Sequence, residues 1–389
     1  MLILLLGGCT GVGFRTWDVP PSYHAEGPSG RIVPSVTPRT PVLAPKARAV
    51  ARPPAEGRQP PPATSLKVGI LVPLTGPQAP LGQALLNAAQ MAVFEGGGTG
   101  FELLPRDTGE THAAEAARDA LAAGARLLIG PVFASDVRAV APLAAKAEVP
   151  VMALSSDVTL AKPPVWVMGF APAPQVAAVT RFACDQGLRR FAAVIPSGAY
   201  GALVDRAFET AVRTCGGTVV ARVTPARFSA LTADRAGIDA LFLPLGKEDL
   251  RRLHEQLSGP PWKGVRLLGT GLWDEPGLAD DFPFLNGAWY ASPSQASRLA
   301  FVEAYTRVYG APPPRLATLA YDATALAAAL AQRGGSVDLP ALTNVHGFLG
   351  MDGLFRLLPD GQVERALVTH EMRPQGVRPL EAPLASFSP

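Results

Sequence analysis

Short apolar runs and longer amphipathic stretches alternate along the chain from residue 67 onward. The strand-length runs lie at 67–73, 101–104, 126–130 and 150–154, and helical patterns at 78–94, 111–123 and 135–147 separate them. Alternation of this kind is typical of a parallel β-sheet whose strands are connected by helices. The sequence therefore predicts an α/β unit that begins near Leu66.

A second unit of the same kind begins near Pro172. Its strand-length runs lie at 190–195, 217–223, 238–244 and 265–270, and its helical patterns at 174–186, 202–214 and 247–257. A strand-like segment at 288–291, helical patterns at 297–309 and 315–333, two Asp-Gly turns and a closing strand at 363–372 follow. The chain thus contains two copies of one α/β architecture.

Polar residues follow several predicted strands, at the edge where parallel sheets bind ligands. The candidate ligand-binding residues are Thr75, Gly76, Ser135, Ser155, Ser156, Asp157, Tyr200 and Trp273. Hydroxyls and free N–H groups at a helix start suit a carboxylate, and Asp157 suits an ammonium group. Helix capping, Asx turns and loop packing explain the same residues equally well. The residues alone leave both explanations open.

Motifs of the common enzyme classes are absent from the sequence. There is no Gly-x-Ser-x-Gly elbow, no Walker-type phosphate loop and no complete His-Glu-x-x-His, because Ser258 stands where His254-Glu255 would need a second histidine. No Cys/His spacing suits zinc. We therefore expect a non-catalytic protein without a cofactor or metal.

The net charge of +3 is unevenly distributed. Residues 10–65 hold seven Arg or Lys against three Asp or Glu, so the rest of the chain carries about −1. A folded part with this balance has no general excess of basic residues, and we expect no nucleic-acid partner.

Residues 10–65 also hold twelve of the forty prolines and few large apolar side chains. Such a segment buries too little surface to form a core, so the composition predicts a disordered, Pro-rich linker. Fully extended, this linker would reach about 170 Å, at roughly 3.1 Å per residue.

The first nine residues resemble the end of a bacterial lipoprotein signal. Apolar residues lead to Leu6-Gly7-Gly8-Cys9, and the Cys of such signals is acylated. The residue after it, Thr10, is not the Asp that retains lipoproteins in the inner membrane. We expect a signal remnant at 1–9, lipidation of Cys9, and a periplasmic location at the outer membrane with this anchor as the only membrane contact.

Acylation of Cys9 would leave Cys184 and Cys215 as a pair in an oxidising compartment. Each lies late in a helical pattern. Because the sequence does not fix their separation, a disulfide and two buried thiols both remain open.

Several short segments, in order along the chain, resemble one family. Val68–Pro77, Gly82–Ala84, Leu128–Pro131, Val149–Val151, Tyr200-Gly201 and Ala320–Ala323 are similar to type I periplasmic binding proteins of the leucine/isoleucine/valine-binding group. Other segments resemble one branch of lipoproteins, the penicillin-binding protein activators. They are Arg106–Gly109, Ser156-Asp157, Met168–Phe170, Trp273-Asp274, Tyr305, Tyr309-Gly310 and Gly353–Arg356. The likeness extends from about Leu66 to Met372.

The resemblance implies an α/β fold of two lobes, each a mainly parallel sheet flanked by helices, joined by three crossovers. The first lobe would comprise 66–171 with 292–345, and the second 172–291 with 346–389. Ligand contacts of the amino-acid receptors would match the turns at 75–76, 134–135 and 155–157 and Tyr200. Ala134 stands where some receptors have a ligating hydroxyl.

Two functions fit this resemblance. The leading hypothesis is a regulator that activates a peptidoglycan synthase, that is, a penicillin-binding protein, through contact with it. The alternative is a receptor that delivers an amino acid or similar small ligand, bound between the lobes, to the permease of an ABC transporter.

Overall fold

The computed structural model describes residues 48–49, 65–96, 100–110, 112–233, 237–374 and 376–387. Cys9 and most of the predicted linker at 10–65 lie outside these ranges. Two linker residues, Arg48–Ala49, form a short strand, β1, that pairs antiparallel with Phe348-Leu349. These two residues of the predicted linker are thus paired with the edge of a sheet, which offers free backbone groups to any nearby chain, and the disorder of the rest stays a prediction.

The first sheet consists of five parallel strands. They are β2 Leu66–Val72, β3 Phe101–Asp107, β4 Leu127–Ile129, β5 Val151–Ala153 and β6 Val165–Val167, in the order β3-β2-β4-β5-β6. Helices α1 Ala79–Glu95, α2 Ala113–Ala122 and α3 Ala134–Ala147 connect them. A β-carbon at Gly82 would lie 1.7 Å from the Pro73 carbonyl oxygen, so only glycine lets α1 begin this close to the end of β2.

The second sheet has seven strands. The chain passes through α4 Pro172–Asp185, β7 Arg190–Val194, α5 Ala199–Thr214, β8 Thr218–Val223, α6 Phe228–Ala233, β9 Ala240–Phe242, α7 Lys247–Arg252, α8 His254–Leu257, β10 Arg266–Gly269, α9 Leu278–Asp281 and β11 Trp289–Pro293. Strands β7 to β11 run parallel in the order β11-β10-β9-β7-β8. The predicted parallel sheets flanked by helices are thus confirmed for both lobes.

The chain then returns to the first lobe. Helices α10 Ala296–Tyr309, α11 Ala317–Gln332 and α12 Leu339–Leu342 precede strands β12 Phe348–Gly350, β13 Gly353–Leu357 and β14 Val363–Arg365, which form an antiparallel sheet with β1. The last strands, β15 Leu367–Arg373 and β16 Gly376–Pro379, extend the second sheet beside β11 as antiparallel strands.

Helix α11 lies at the centre of the first lobe. It is rich in Ala and Leu, and nearly all of its residues are buried against α1 and the first sheet. A helix that is apolar on every side is stable in water only when other elements cover it. Within the described part of the chain, no helix is both long and apolar enough to cross a membrane.

Three crossovers join the lobes, at residues 168–171, at Ser294-Gln295 and at Ala366. The third differs from the predicted boundary at 345/346. Phe348 and Phe355 pack in the same core as Leu66 and α11, so β12 and β13 belong with the first lobe. The Asp-Gly turns predicted reversals of the chain in this region but not the lobe to which the adjoining segments belong.

Candidate functional site

Thr75 of the first lobe is held by its neighbours rather than directed at solvent. Its hydroxyl donates to Asp107 Oδ2 (2.5 Å) and accepts from the Glu110 N–H (2.8 Å). Asp107 also accepts from the N–H groups of Leu74, Thr75 and Gly109. Burial alone would raise the pKa of Asp107, but these hydrogen bonds favour the carboxylate and lower it. The arrangement fixes the turn that carries the exposed Gly76.

Ser135 lies exposed in the first turn of α3. Its hydroxyl reaches the Asp136 carboxylate at 3.4 Å, and no side chain caps this helix. Burial raises the pKa of Asp136. The Ser135 hydroxyl is exposed, but an acidic side chain stands beside it.

The turn at 155–157 is occupied by internal contacts. Ser155 is buried and its hydroxyl accepts from the Asp157 N–H (3.2 Å). Asp157 accepts from the Thr159 N–H and hydroxyl through Oδ1, and Arg138 Nη2 lies 2.8 Å from Oδ2. The Thr159 hydroxyl and the Arg138 cation lower the pKa of Asp157. Both carboxylate oxygens are thus engaged, while Ser156 is exposed.

Tyr200 opens α5 on the second lobe. Its hydroxyl is 3.1 Å from Thr270 Oγ1, and burial raises its pKa. It helps to line a cavity of about 200 Å³, together with Gln175, Asp274 and Arg315. None of the predicted first-lobe residues lines this cavity.

Trp273 does not face a cleft. It is fully buried, its indole N–H donates to the Leu245 carbonyl (3.1 Å), and its ring packs flat over Gly269. Trp273 therefore stabilises the second-lobe core and has no surface to offer a ligand.

The next residue, Asp274, is the centre of a buried charge cluster where the lobes meet. Arg298 Nη2 donates to its Oδ1 (2.6 Å), Gln295 also donates to Oδ1, and Arg315 Nη2 lies 3.5 Å from Oδ2. Its side chain is 3% exposed. Asp274 follows β10 of the second lobe, whereas Arg315 precedes α11 of the first. The carboxylate therefore links the two lobes directly.

Arg315 also binds a carboxylate of its own lobe. Its Nη1 and Nη2 lie 3.0 and 2.8 Å from the oxygens of Asp352, which sits in the β12–β13 turn. Burial would lower the pKa of Arg315, but Asp352 and Asp274 raise it. A guanidinium held by two carboxylates is bidentate to one and close to the other, which restricts its orientation.

A second buried acid, Asp322 of α11, lies behind Asp352. Burial and the charge of Asp352 raise the pKa of Asp322 to about 7, although its Oδ1 accepts from the Met351 N–H (2.6 Å). Near neutral pH this side chain therefore holds a proton in part of the molecules.

All three crossovers touch this cluster. Phe170 of the first lies beneath Arg315, 4.0 Å from guanidinium carbon to ring centre. Gln295 of the second binds Asp274. Arg365, at the third, donates to the Met168 carbonyl (2.8 Å) of the first. We call Asp274, Arg298, Arg315, Asp322, Asp352 and Arg365 the hinge cluster.

The hinge cluster has no linear sequence motif. Asp274 and Asp322 lie in the short segments Trp273-Asp274 and Ala320–Ala323 that carry the family resemblance, and Asp352 lies in one of the two Asp-Gly turns. Charged residues inside otherwise apolar segments were the available signal, but a linear pattern does not show which of them meet.

A larger cavity, of about 850 Å³, lies beside the crossovers. Helices α4 and α5 form its floor, and Val158, Ala161 and Gln362-Val363 of the first lobe form its rim. Cys184 and Cys215, at the ends of these two helices, are joined by a disulfide with their Cα atoms 6.2 Å apart. Among the described residues, no group of three or more His, Cys, Asp or Glu could hold a metal ion.

Solved structures with the same fold come from several bacteria. A putative branched-chain amino-acid ABC transporter protein from Rhodospirillum rubrum is 22% identical, covers 81% of this chain and all of its own, and has a TM-score of 0.71. The LpoA C-domain from Haemophilus influenzae, a regulator of PBP1A, is 17% identical, with coverages of 81% and 100% and a TM-score of 0.64. A solute-binding protein from Rhodopseudomonas palustris, in complex with 3,4-dihydroxybenzoic acid, is 20% identical, with coverages of 83% and 97% and a TM-score of 0.62.

Sequence comparison agrees with the fold. No curated protein matches the sequence significantly. The model of the periplasmic binding protein family, however, matches residues 65–376, which is most of the chain. The chain therefore belongs to the periplasmic binding protein family, with the type I, leucine-binding-like fold.

Proposed function

We propose that this chain is a non-catalytic, extracytoplasmic regulator that activates a peptidoglycan synthase by direct contact. In this role the two lobes provide a surface of fixed shape, and transport of a solute is not required. The hinge cluster is the observation that carries the proposal, because the buried ion pairs of Asp274 with Arg298 and Arg315 cross between the lobes and oppose the opening and closing of a solute receptor.

The predicted ligand turns support the same function. The Thr75 hydroxyl is hydrogen-bonded to Asp107, and the Asp157 carboxylate is bound by Thr159 and Arg138. Trp273 is enclosed in the core. A receptor needs polar groups that remain free to bind its ligand. The LpoA C-domain supports the proposal further, as an example of this fold in a regulator of PBP1A.

A reconstituted synthase assay tests this function. The full chain is added to a purified bifunctional peptidoglycan synthase from the same genome, and the rates of glycan polymerisation and cross-linking are measured. We expect at least one rate to rise. A leucine-binding protein of the same fold is the control and should leave both rates unchanged. A synthase that responds to neither protein would refute the proposal.

A solute receptor for an ABC transporter is the second candidate. The 200 Å³ cavity at Tyr200 and Thr270 favours it, since a small amino acid or aromatic carboxylate could be bound there. Several structures of the same fold are solute-binding proteins. Calorimetry with a panel of amino acids and benzoates distinguishes the two functions. Micromolar binding that is lost in Tyr200→Ala would favour the receptor, and a blank panel would exclude it for these ligands.

The location at the outer membrane rests on lipidation of Cys9, which lies outside the described residues. An anchor at Cys9 followed by the predicted linker would let the lobes reach a synthase in the opposite membrane. Labelling of cells with a palmitate analogue should mark the native chain but not Cys9→Ser. An unlabelled native chain would exclude the anchor.

A further inference from the structure

The surface between α4 and α5 forms an open groove beside the crossovers. Its floor is made mainly of small residues, with Ala177 and Ala178 on α4 and Ala207 and Ala211 on α5. Small side chains let another backbone approach closely. This alanine floor alone identifies no ligand, and the dimensions and charges of the groove decide what fits.

The dimensions suit an α-helix. The lining residues of α5 extend from Leu203 to Thr214, which is about 17 Å of helix at 1.5 Å per residue. The groove therefore has the length of about three turns of a helix, and its volume is about 850 Å³.

The charged residues that line the groove have one sign. Arg181 and Arg206 are the charged residues among those that line it, and no Asp or Glu does so. Arg181 is exposed and lies 3.9 Å from Glu381, whereas Arg206 forms no ion pair with the residues that the structure describes. A helix with acidic residues beside its apolar stripe would complement this pair.

The groove is rigid on one side and spans the hinge. The Cys184–Cys215 disulfide joins α4 to the end of α5, and Cys215 itself lines the groove. The opposite rim, Val158 and Ala161 with Val363, belongs to the first lobe. Any helix seated here contacts both lobes at once.

We propose that this groove is the docking site for an amphipathic helix of the synthase. The apolar face of that helix contacts the alanine floor, and the residues that flank this face are acidic. The proposal rests on the function proposed above and names the surface through which it is exerted. A helix bound in this way would contact both lobes beside the crossovers, so its affinity would depend on their fixed relative orientation.

Binding of the full chain to the purified synthase tests the groove. Biolayer interferometry is used on wild type and three variants of α5: Ala207→Trp, which fills the floor, Arg206→Glu, which reverses its charge, and Arg213→Glu, an exposed control outside the groove. We expect Ala207→Trp and Arg206→Glu each to weaken binding about tenfold or more. Arg213→Glu should change it less than about twofold. Thermal melts verify that all variants fold.

The outcomes separate this proposal from the proposed function. Binding and activation that persist unchanged in Ala207→Trp and Arg206→Glu would overturn the groove and leave the regulator intact. A wild-type chain that does not bind the synthase would overturn both. Sedimentation of the chain alone is the last check, because a dimer that Ala207→Trp converts to a monomer would assign the groove to a second copy and overturn the proposal.

Discussion

At the scale of single residues, Asp274 has the most consequential environment in the described chain. It is almost fully buried and its two oxygens meet Arg298, Gln295 and Arg315. Burying a carboxylate costs free energy that only close opposite charges and hydrogen bonds offset. Removing the carboxylate would also leave Arg298, itself buried, without its ion-pair partner.

We expect Asp274→Ala to lower the free energy of unfolding by about 3–5 kcal/mol, the usual cost of breaking a buried ion pair. Urea unfolding followed by circular dichroism measures the change. Asp249→Ala is the matched control, since Asp249 makes an exposed pair with Arg252 at 3.5 Å and should cost less than about 1 kcal/mol. Equal costs for the two variants would contradict a structural role of the hinge cluster.

Asp322 gives the hinge cluster a pH dependence. Its pKa is raised from 3.8 to about 7, so between these values the folded chain binds a proton that the unfolded chain does not. The contribution of Asp322 to the free energy of unfolding is fully present below pH 4. It is lost as the pH rises towards 7, by up to about 1.4 kcal/mol per pH unit. Asp322→Asn removes this loss. We expect the stability of the variant relative to wild type to increase from pH 5 to pH 8 in urea titrations, and a constant difference would refute the raised pKa.

At the scale of elements, the α4–α5 pair depends on the link between its ends. Phe208 of α5 packs on Phe191 of β7, and the disulfide closes a loop with a sequence separation of 31 residues. Closing such a loop in the unfolded chain contributes about 3.7 kcal/mol in the chain-entropy model.

Cys215→Ser should therefore lower the free energy of unfolding by about 3–4 kcal/mol. Reduced wild type serves as the internal control and should lose the same amount in guanidinium titrations, while reductant should not affect Cys215→Ser further. Mass spectrometry after alkylation of the unfolded, unreduced chain checks the bond itself. Alkylation of both Cys184 and Cys215 in that sample would show that the disulfide is absent.

The element pattern was largely accessible from the sequence. Periodicity identified most strands and helices of the two sheets, because each has one side that must be apolar to pack. Short elements escaped it, among them β1, β6 and β16, which have two to four residues and too few positions for a periodic signal. The Asp-Gly turns marked the region of β12 and β13 but not their lobe, since either sheet could cover Phe348. The ligand turns show a related limit, because the sequence located Thr75 and Asp107 but not the hydrogen bond between their side chains.

At the scale of the whole molecule, the lobes are joined by charges as well as by chain. Arg315 lies between Asp274 of the second lobe and Asp352 of the first, and Phe170 packs under it. Separation of the lobes would expose or unpair these groups. A receptor that opens for each ligand would need a hinge without this cost, so the relative orientation of the lobes tests the function directly.

We expect one narrow distribution of inter-lobe distances in the unliganded chain. Spin labels at Glu115→Cys on α2 and Glu248→Cys on α7, both exposed, in a Cys9→Ser background report this distance by pulsed electron resonance.

Arg315→Ala should broaden the distribution, because it removes the ion pairs of Arg315 with Asp274 of the second lobe and Asp352 of the first. Arg251→Ala is unsuitable as a control, because the α7 label replaces Glu248, the exposed partner of Arg251. Arg307→Ala on α10 is used instead and should leave the distribution unchanged. A wild-type distance that shortens when leucine or benzoate is added would favour the solute receptor, whereas a distance that both ligands leave unchanged would favour the regulator.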